Sequence, residues 1–256
     1  MSQHAERPII LTSLDDQQGL IVSLTDELAM LVSDTELEVS RVDLETLVGH
    51  LLYVEQINDF INLTRITDLH DALVLHILDS LLFGLLTHES EGRFLDMGTG
   101  AGFPGIPFHV LTNLSGVLLD SVGKKVKAVA AIADALHLDG LQFAHARVEH
   151  YAGDHKGEFA HVMARAMASL PILIEYATPL LKQDGSLLVS KGQLDSQELE
   201  AGLRAAEICG LTLNQHISFD LPRDLGHREL LSFVKTAEPS LKLPRAAGVA
   251  KRKPLA

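Results

Sequence analysis

Cysteine is almost absent: Cys209 stands alone in a chain of 256 residues. An intramolecular disulfide is therefore excluded, and a cysteine-held zinc or iron–sulfur centre lacks its ligand set. This usage fits the reducing cytoplasm. There is no tryptophan and there are only three tyrosines, so a binding face made of stacked aromatics has few side chains to draw on. Long apolar runs are missing as well. The greasiest stretch, Ile77 to Leu86, is broken by Asp79 and Ser80, well short of the roughly 20 residues that cross a bilayer. Met1 to Ile10 holds no secretory-type apolar core. No membrane partner is expected. What is present is ordinary for a globular chain, with 46% apolar and 21% charged residues, which excludes wholesale disorder. A chain of this length buries roughly 70–75% of its unfolded surface. It can form one large domain, or a domain with a small cap, as a monomer.

Basic charge is scarce in one place only. The net charge of −13 would by itself argue against a nucleic-acid partner. Its distribution changes that reading. Residues 1–90 hold 16 acidic side chains against Arg7, Arg41 and Arg65, whereas residues 91–256 hold 18 acids and 18 bases. From Lys235 onward the balance is basic, with Lys242, Arg245, Lys251, Arg252 and Lys253 against Glu238. Basic tails often meet phosphate, so Arg245, Lys251, Arg252 and Lys253 are candidate RNA contacts.

Four regions follow from the patterning. Residues 1–20 show no period and read as a flexible leader. Residues 21–90 carry helical apolar spacing, as in Leu20, Leu24, Leu28 and Leu31 and again from Val39 to Ile61 and from Ala72 to Leu86. In residues 91–240 the pattern changes to short apolar runs at Arg93–Met97, Val117–Asp120, Leu141–Ala146, Phe159–Met163 and Ser186–Lys191, separated by helical segments. That alternation predicts parallel β-α units in a doubly wound sheet. Leu213–Phe219 and Glu229–Lys235 read as a closing antiparallel hairpin. Residues 241–256 form the basic tail.

The first strand runs into Asp96-Met97-Gly98-Thr99-Gly100-Ala101-Gly102-Phe103-Pro104-Gly105. Glycines at a strand-to-helix turn let backbone approach a ligand closely, and the helix start favours anionic groups. Asp120 ends the second strand 20 residues after Gly100, where a carboxylate can accept from both ribose hydroxyls of a nucleoside cofactor. Gly100, Gly102 and Gly105 match the dinucleotide fingerprint, which is weak evidence alone. Asp96 separates the options: a carboxylate there suits a cationic cofactor end and repels a pyrophosphate. With the reversed last strand, this predicts an α/β, Rossmann-like class I methyltransferase with an N-terminal helical cap and S-adenosylmethionine as cofactor. His76 and Asp79, at i and i+3, share a helix face and are candidates for the catalytic site, with a hydrogen-bonded core histidine as the plain alternative.

An ordered set of motifs from about Asn58 onward resembles the GidB/RsmG family of small-subunit (16S) ribosomal RNA guanine-N7 methyltransferases. The motifs are Asn62-Leu63-Thr64, His76 to Ser80, Asp96 to Pro107, Leu118 to Lys125, Ala146 to Glu149, Arg165 to Leu170, and Lys191-Gly192. The tail from Leu243-Pro244-Arg245 resembles the Gram-positive form. The resemblance implies that Gly98, Gly100 and Phe103 line the cofactor, Asp120 holds the ribose, and Val148 and Glu149 border the adenine. It places Arg165 in the site and lets Lys124, Lys125 and Lys191 meet RNA phosphate. The partner it implies is 16S ribosomal RNA or the small subunit. The chain departs from the family at Leu75, where an arginine is usual, and at Ile57, Ala160 and Ala164.

Guanine N7 carries a lone pair and no proton, so its methylation needs positioning and desolvation but no general base. The lack of a convincing Ser–His or His–Asp base constellation is consistent with that. Arg165 then holds the cofactor carboxylate or an RNA phosphate, and the target base is unpaired or flipped. Two other readings remain open at this point: a cofactor-binding or RNA-binding protein without turnover, and a nicotinamide-dependent oxidoreductase. The second lacks room for a substrate domain after Lys191. Among thirteen histidines, His145, His150, His155 and His161 are not spaced as metal ligands on a helix, and no metal is expected.

Overall fold

A computed structural model describes residues 9–87 and 91–256. Seven strands form one sheet in the order β3-β2-β1-β4-β5-β7-β6. They are β1 (Phe94–Met97), β2 (Gly116–Asp120), β3 (Leu141–His145), β4 (Phe159–Arg165), β5 (Leu181–Lys191), β6 (Leu211–Asp220) and β7 (His227–Lys235). The first five pair in parallel, and β7 runs antiparallel to both β5 and β6. The strand order reverses between β1 and β4, which opens a crevice at their carboxyl ends.

Alternation along each strand builds two cores. Phe94, Leu118, Met163, Leu188 and Leu230 face one way, and Leu95, Leu119, Val162, Leu187 and Leu231 face the other. The second face is covered by the helices Val148–Asp154, Leu170–Ala177 and Ser196–Cys209 and by Leu243 and Ala250 of the tail. The first face packs against the N-terminal helices Gln18–Ser33 and Arg41–Asn58 and the apolar stretch Leu69–Leu86. The helical region expected as a cap is thus a structural layer of the sheet, sharing its core. Leu69–Leu86 would be long and apolar enough to cross a membrane, but 67% of it is buried inside the protein, as a core helix must be.

The expected free leader is corrected where it is described. Leu14 is buried, and Thr12 exchanges two hydrogen bonds with the Gln56 side chain, at 3.0 and 3.1 Å. Residues 1–8 lie outside the described residues. A short helix, Val148–Asp154, joins β3 to β4. Cys209 is buried, and burial pushes its thiol up to about 11.

Candidate active site

The glycine turn is held by backbone. Gly98, Gly100 and Gly102 all have positive φ (76°, 60° and 92°), the region where a side chain is strained. The amides of Gly98 and Thr99 both donate to Leu119 O, at 2.8 and 3.0 Å, which fixes the turn beside the end of β2. Asp120 closes it from the other side: Oδ2 accepts from Gly100 N at 3.1 Å and Oδ1 from Val122 N at 2.8 Å. Asp96 is fully buried, and its Oδ2 accepts from Gly105 N at 2.9 Å, at the start of the Gly105–Thr112 helix. Its Oδ1 has no hydrogen-bond partner among the described residues. Burial pushes this carboxyl up to about 6, against the pull of the neighbouring Thr99 hydroxyl and of the Gly105 amide.

Two cavities adjoin at Ala166. One, of about 240 Å³, is lined by Gly98, Asp120, Val148, Met167 and Lys251 among others. The second, of about 390 Å³, is lined by His76, Asp79, Arg165, Ser190, Lys191 and Arg228. Ala166 borders both and has a φ of 51°. It lies just past β4, at the point where the strand order reverses.

In the larger cavity a carboxylate organises two arginines. Asp79, 2% exposed, accepts from Arg165 Nη1 at 3.1 Å, from Arg228 Nε at 3.0 Å and from Ser190 Oγ at 3.2 Å. Arg165 Nη1 also donates to Leu75 O at 2.9 Å. Its guanidinium lies 5.6 Å from the centre of the Phe103 ring, within the range of a cation–π contact. His76 also stacks on Phe103, 4.7 Å away and nearly parallel to it. It does not pair with Asp79; its Nε2 hydrogen-bonds with Thr64 Oγ1 at 2.7 Å. Burial and the Arg165 cation lower the His76 pKa to about 3, so the ring is neutral at physiological pH.

Several expected contacts sit differently. Phe103 is buried between His50 and His76, at 4.3 and 4.7 Å; it supports Arg165 and lines neither cavity. A Cβ at Gly102 would lie 2.9 Å from Ile106 and 3.0 Å from His50 Nε2, so that glycine serves packing instead of ligand approach. Glu149 accepts from Gly248 N at 2.7 Å and from Tyr176 Oη at 3.2 Å, so its carboxylate is turned to the tail instead of the adenine. Burial alone would raise its pKa, but the bonds from Gly248 and Arg147 outweigh burial and hold it below the ordinary value. Lys191 lines the larger cavity, yet its ammonium is taken by Ala168 O at 3.0 Å and Glu198 at 2.8 Å. Arg245 forms a two-pronged ion pair with buried Glu175. These bonds consume the charges that were expected for RNA phosphate. Lys124 and Lys125 stand in the first turn of Gly123–Ala135, beyond Asp120, with Lys124 exposed. Arg252 and Lys253 are exposed.

Arg228, Ser190 and His50 were missed by sequence reasoning, and Thr64 and Met167, though they stand in the motifs quoted above, were given no role. Arg228 and Ser190 meet Asp79 only because β7 pairs with β5 in the register Ser190↔Leu230, which no local motif announces. Among the described residues, no group of three or more His, Cys, Asp or Glu side chains is placed to hold a metal ion.

Residues 43–225 match the family model for rRNA small subunit methyltransferase G. The ribosomal RNA small subunit methyltransferase G of Desulfitobacterium hafniense is 36% identical over 201 residues, covering 77% of this chain and 83% of that one. Its counterpart in Lactococcus lactis is 30% identical over 236 residues, covering 90% and 98%. A solved structure from Bacillus halodurans, BH2331, assigned provisionally as a methyltransferase, aligns with a TM-score of 0.50 at 13% identity, covering 62% of this chain and all of that one; this likeness concerns the fold alone. With a family model spanning most of its length and full-length relatives at this identity, the chain belongs to the rRNA small subunit methyltransferase G family.

Proposed function

We propose that this protein transfers the methyl group of S-adenosylmethionine to N7 of a guanine in 16S ribosomal RNA, acting as a cytoplasmic monomer. The observation that carries the reading is the pair of cavities meeting at Ala166, one on the glycine turn and Asp120, the other on the Asp79–Arg165–Arg228 cluster. The turn fits the cofactor: positive-φ glycines keep side chains out, and the buried Asp96 carboxylate, which lines neither cavity, lies beneath the turn and supplies negative charge that favours a cationic ligand end. Asp120 retains acceptor capacity for ribose hydroxyls, since each carboxylate oxygen can take two hydrogen bonds. When bound, the cofactor supplies an electrophilic sulfonium methyl. The protein's residues need only hold the guanine in line and exclude water. Neutral His76 adds no positive charge beside a purine that becomes cationic. Arg165 and Arg228 are pinned by Asp79, which leaves the cluster able to receive an RNA phosphate at limited electrostatic cost.

The test is transfer of labelled methyl to 16S ribosomal RNA, free and in small-subunit particles, taken from cells lacking this protein. The product is mapped by the cleavage chemistry of N7-methylguanine. Label at one guanine is expected. Cofactor binding without transfer to any of these substrates would instead support a protein that senses the cofactor without turnover.

A further inference from the structure

The basic tail packs on the second face of the sheet and brings one residue, Lys251, to the cavity on the glycine turn. Leu243 and Ala250 are buried in the core of the sheet's second face. Arg245 Nε donates to Glu175 at 2.7 Å, and its Nη2 donates to Glu175 and to Lys253 O. The Gly248 amide donates to Glu149 at 2.7 Å. Gly248 has a φ of 77° and turns the chain into one helical turn, Val249–Arg252. That turn delivers Lys251 to the small cavity that Gly98, Asp120 and Val148 also line. No protein group among the described residues hydrogen-bonds or pairs with the Lys251 ammonium. Arg245 and the Gly248 amide are spent on buried carboxylates, whereas Lys251 lines the mouth of the cavity, exposed and with its donors unspent.

We propose that residues 243–253 complete the cofactor cavity with Lys251 and that Lys251 is a cofactor-binding residue, donating to an acceptor on the adenosine half of the bound molecule. The cavity partners fix which half: Asp120 ends β2, and Val148 follows β3, where the ribose and adenine are placed in the reading above. Two carboxylates, Glu149 and Glu175, hold the tail in register without touching the ligand, so they act as positioning residues. The inference rests on the cofactor reading and goes beyond it, because it gives the tail a role in holding the nucleoside instead of RNA.

Calorimetry of the full-length protein with S-adenosylhomocysteine, without RNA, tests it. Lys251→Met is expected to weaken binding by about 10-fold, the value of one charged hydrogen bond. S-adenosylmethionine should lose the same factor, since both share the adenosine half. Lys251→Arg should recover most of the loss. Glu175→Gln should weaken binding in the same direction and speed amide exchange across residues 243–253, whereas bound S-adenosylhomocysteine should slow that exchange in the wild type. Wild-type affinity in the Met variant overturns the inference, as does a loss confined to the salt dependence of RNA binding, which would return Lys251 to the RNA. A wild-type protein that binds neither nucleoside overturns the cofactor reading itself.

Discussion

The two cavities on either side of Ala166 are built by different means. The cavity on the glycine turn is founded on backbone: positive-φ glycines, amides pointing at Leu119 O, and one strand-end carboxylate, with Val148, Met167 and Lys251 completing its lining. The other cavity is made of side chains from five separate segments: Arg165, Ser190 and Arg228 meet at Asp79, and Thr64 bonds His76 beside it. A backbone site is rigid and generic, since amides and glycines recognise what every such cofactor shares. A side-chain cluster is particular, and it depends on the whole fold to bring its members into register.

The largest expected effect breaks the second cavity. Asp79→Ala leaves Arg165 and Arg228 facing each other without their shared carboxylate. Removing one partner of such a buried cluster costs about 3–5 kcal/mol, to be read in urea unfolding, with loss of methyl transfer. Next is the acid at the foot of the glycine turn. Because Asp96 is held at about 6, above its ordinary 3.8, the native state binds the extra proton between those values. Its contribution to stability is full below about 4 and is lost as pH rises through about 6. Asp96→Asn removes that loss, so the variant should gain on the order of 2–3 kcal/mol over the wild type between pH 4 and pH 8. Taking the difference cancels the opposite trend from His50 and His76, whose lowered pKa values (about 4 and about 3) cost stability as pH falls below 6.5. The same variant should bind S-adenosylmethionine poorly. A variant that neither gains stability at high pH nor loses affinity would remove Asp96 from the cationic end of the site.

Asp120→Ala sharpens the comparison from the backbone side. It frees the Gly100 and Val122 amides and should weaken cofactor binding about 10-fold or more by calorimetry, with the Asp79 cluster intact. Smallest is the surface effect. Lys124→Ala and Lys125→Ala should each lower the salt slope of RNA binding by about one unit, with cofactor affinity unchanged.

The contrast between the cavities also explains what the sequence could reveal. Gly98 to Gly105 is contiguous and its requirement is local, so the turn, Asp96 and Asp120 were legible, as were the strand order's parallel units and the final reversal at β7. Arg165, His76 and Asp79 were legible as single residues, but their partners were not. Asp79 meets Arg228 across 149 positions and Ser190 across 111, through a strand register that periodicity does not set. The charge of the tail was legible, but the ion pair that spends Arg245 was not. Composition counts the bases, whereas the burial of Glu175 beneath Arg245 decides where one of them goes. Residues 9–20 misled for a related reason: their aperiodic sequence hides the single buried Leu14 and the paired bonds to Gln56.

The central claim is that the methyl passes at Ala166 from a backbone-built cofactor site to a side-chain-built guanine site. The most direct measurement is a crystal structure of the protein with S-adenosylhomocysteine bound. The adenosine is expected on Asp120 and Val148, with the thioether sulfur beside Ala166 and open to the Asp79–Arg165–Arg228 cavity. A ligand whose sulfur faces away from that cavity, or one seated among the arginines themselves, would contradict the claim.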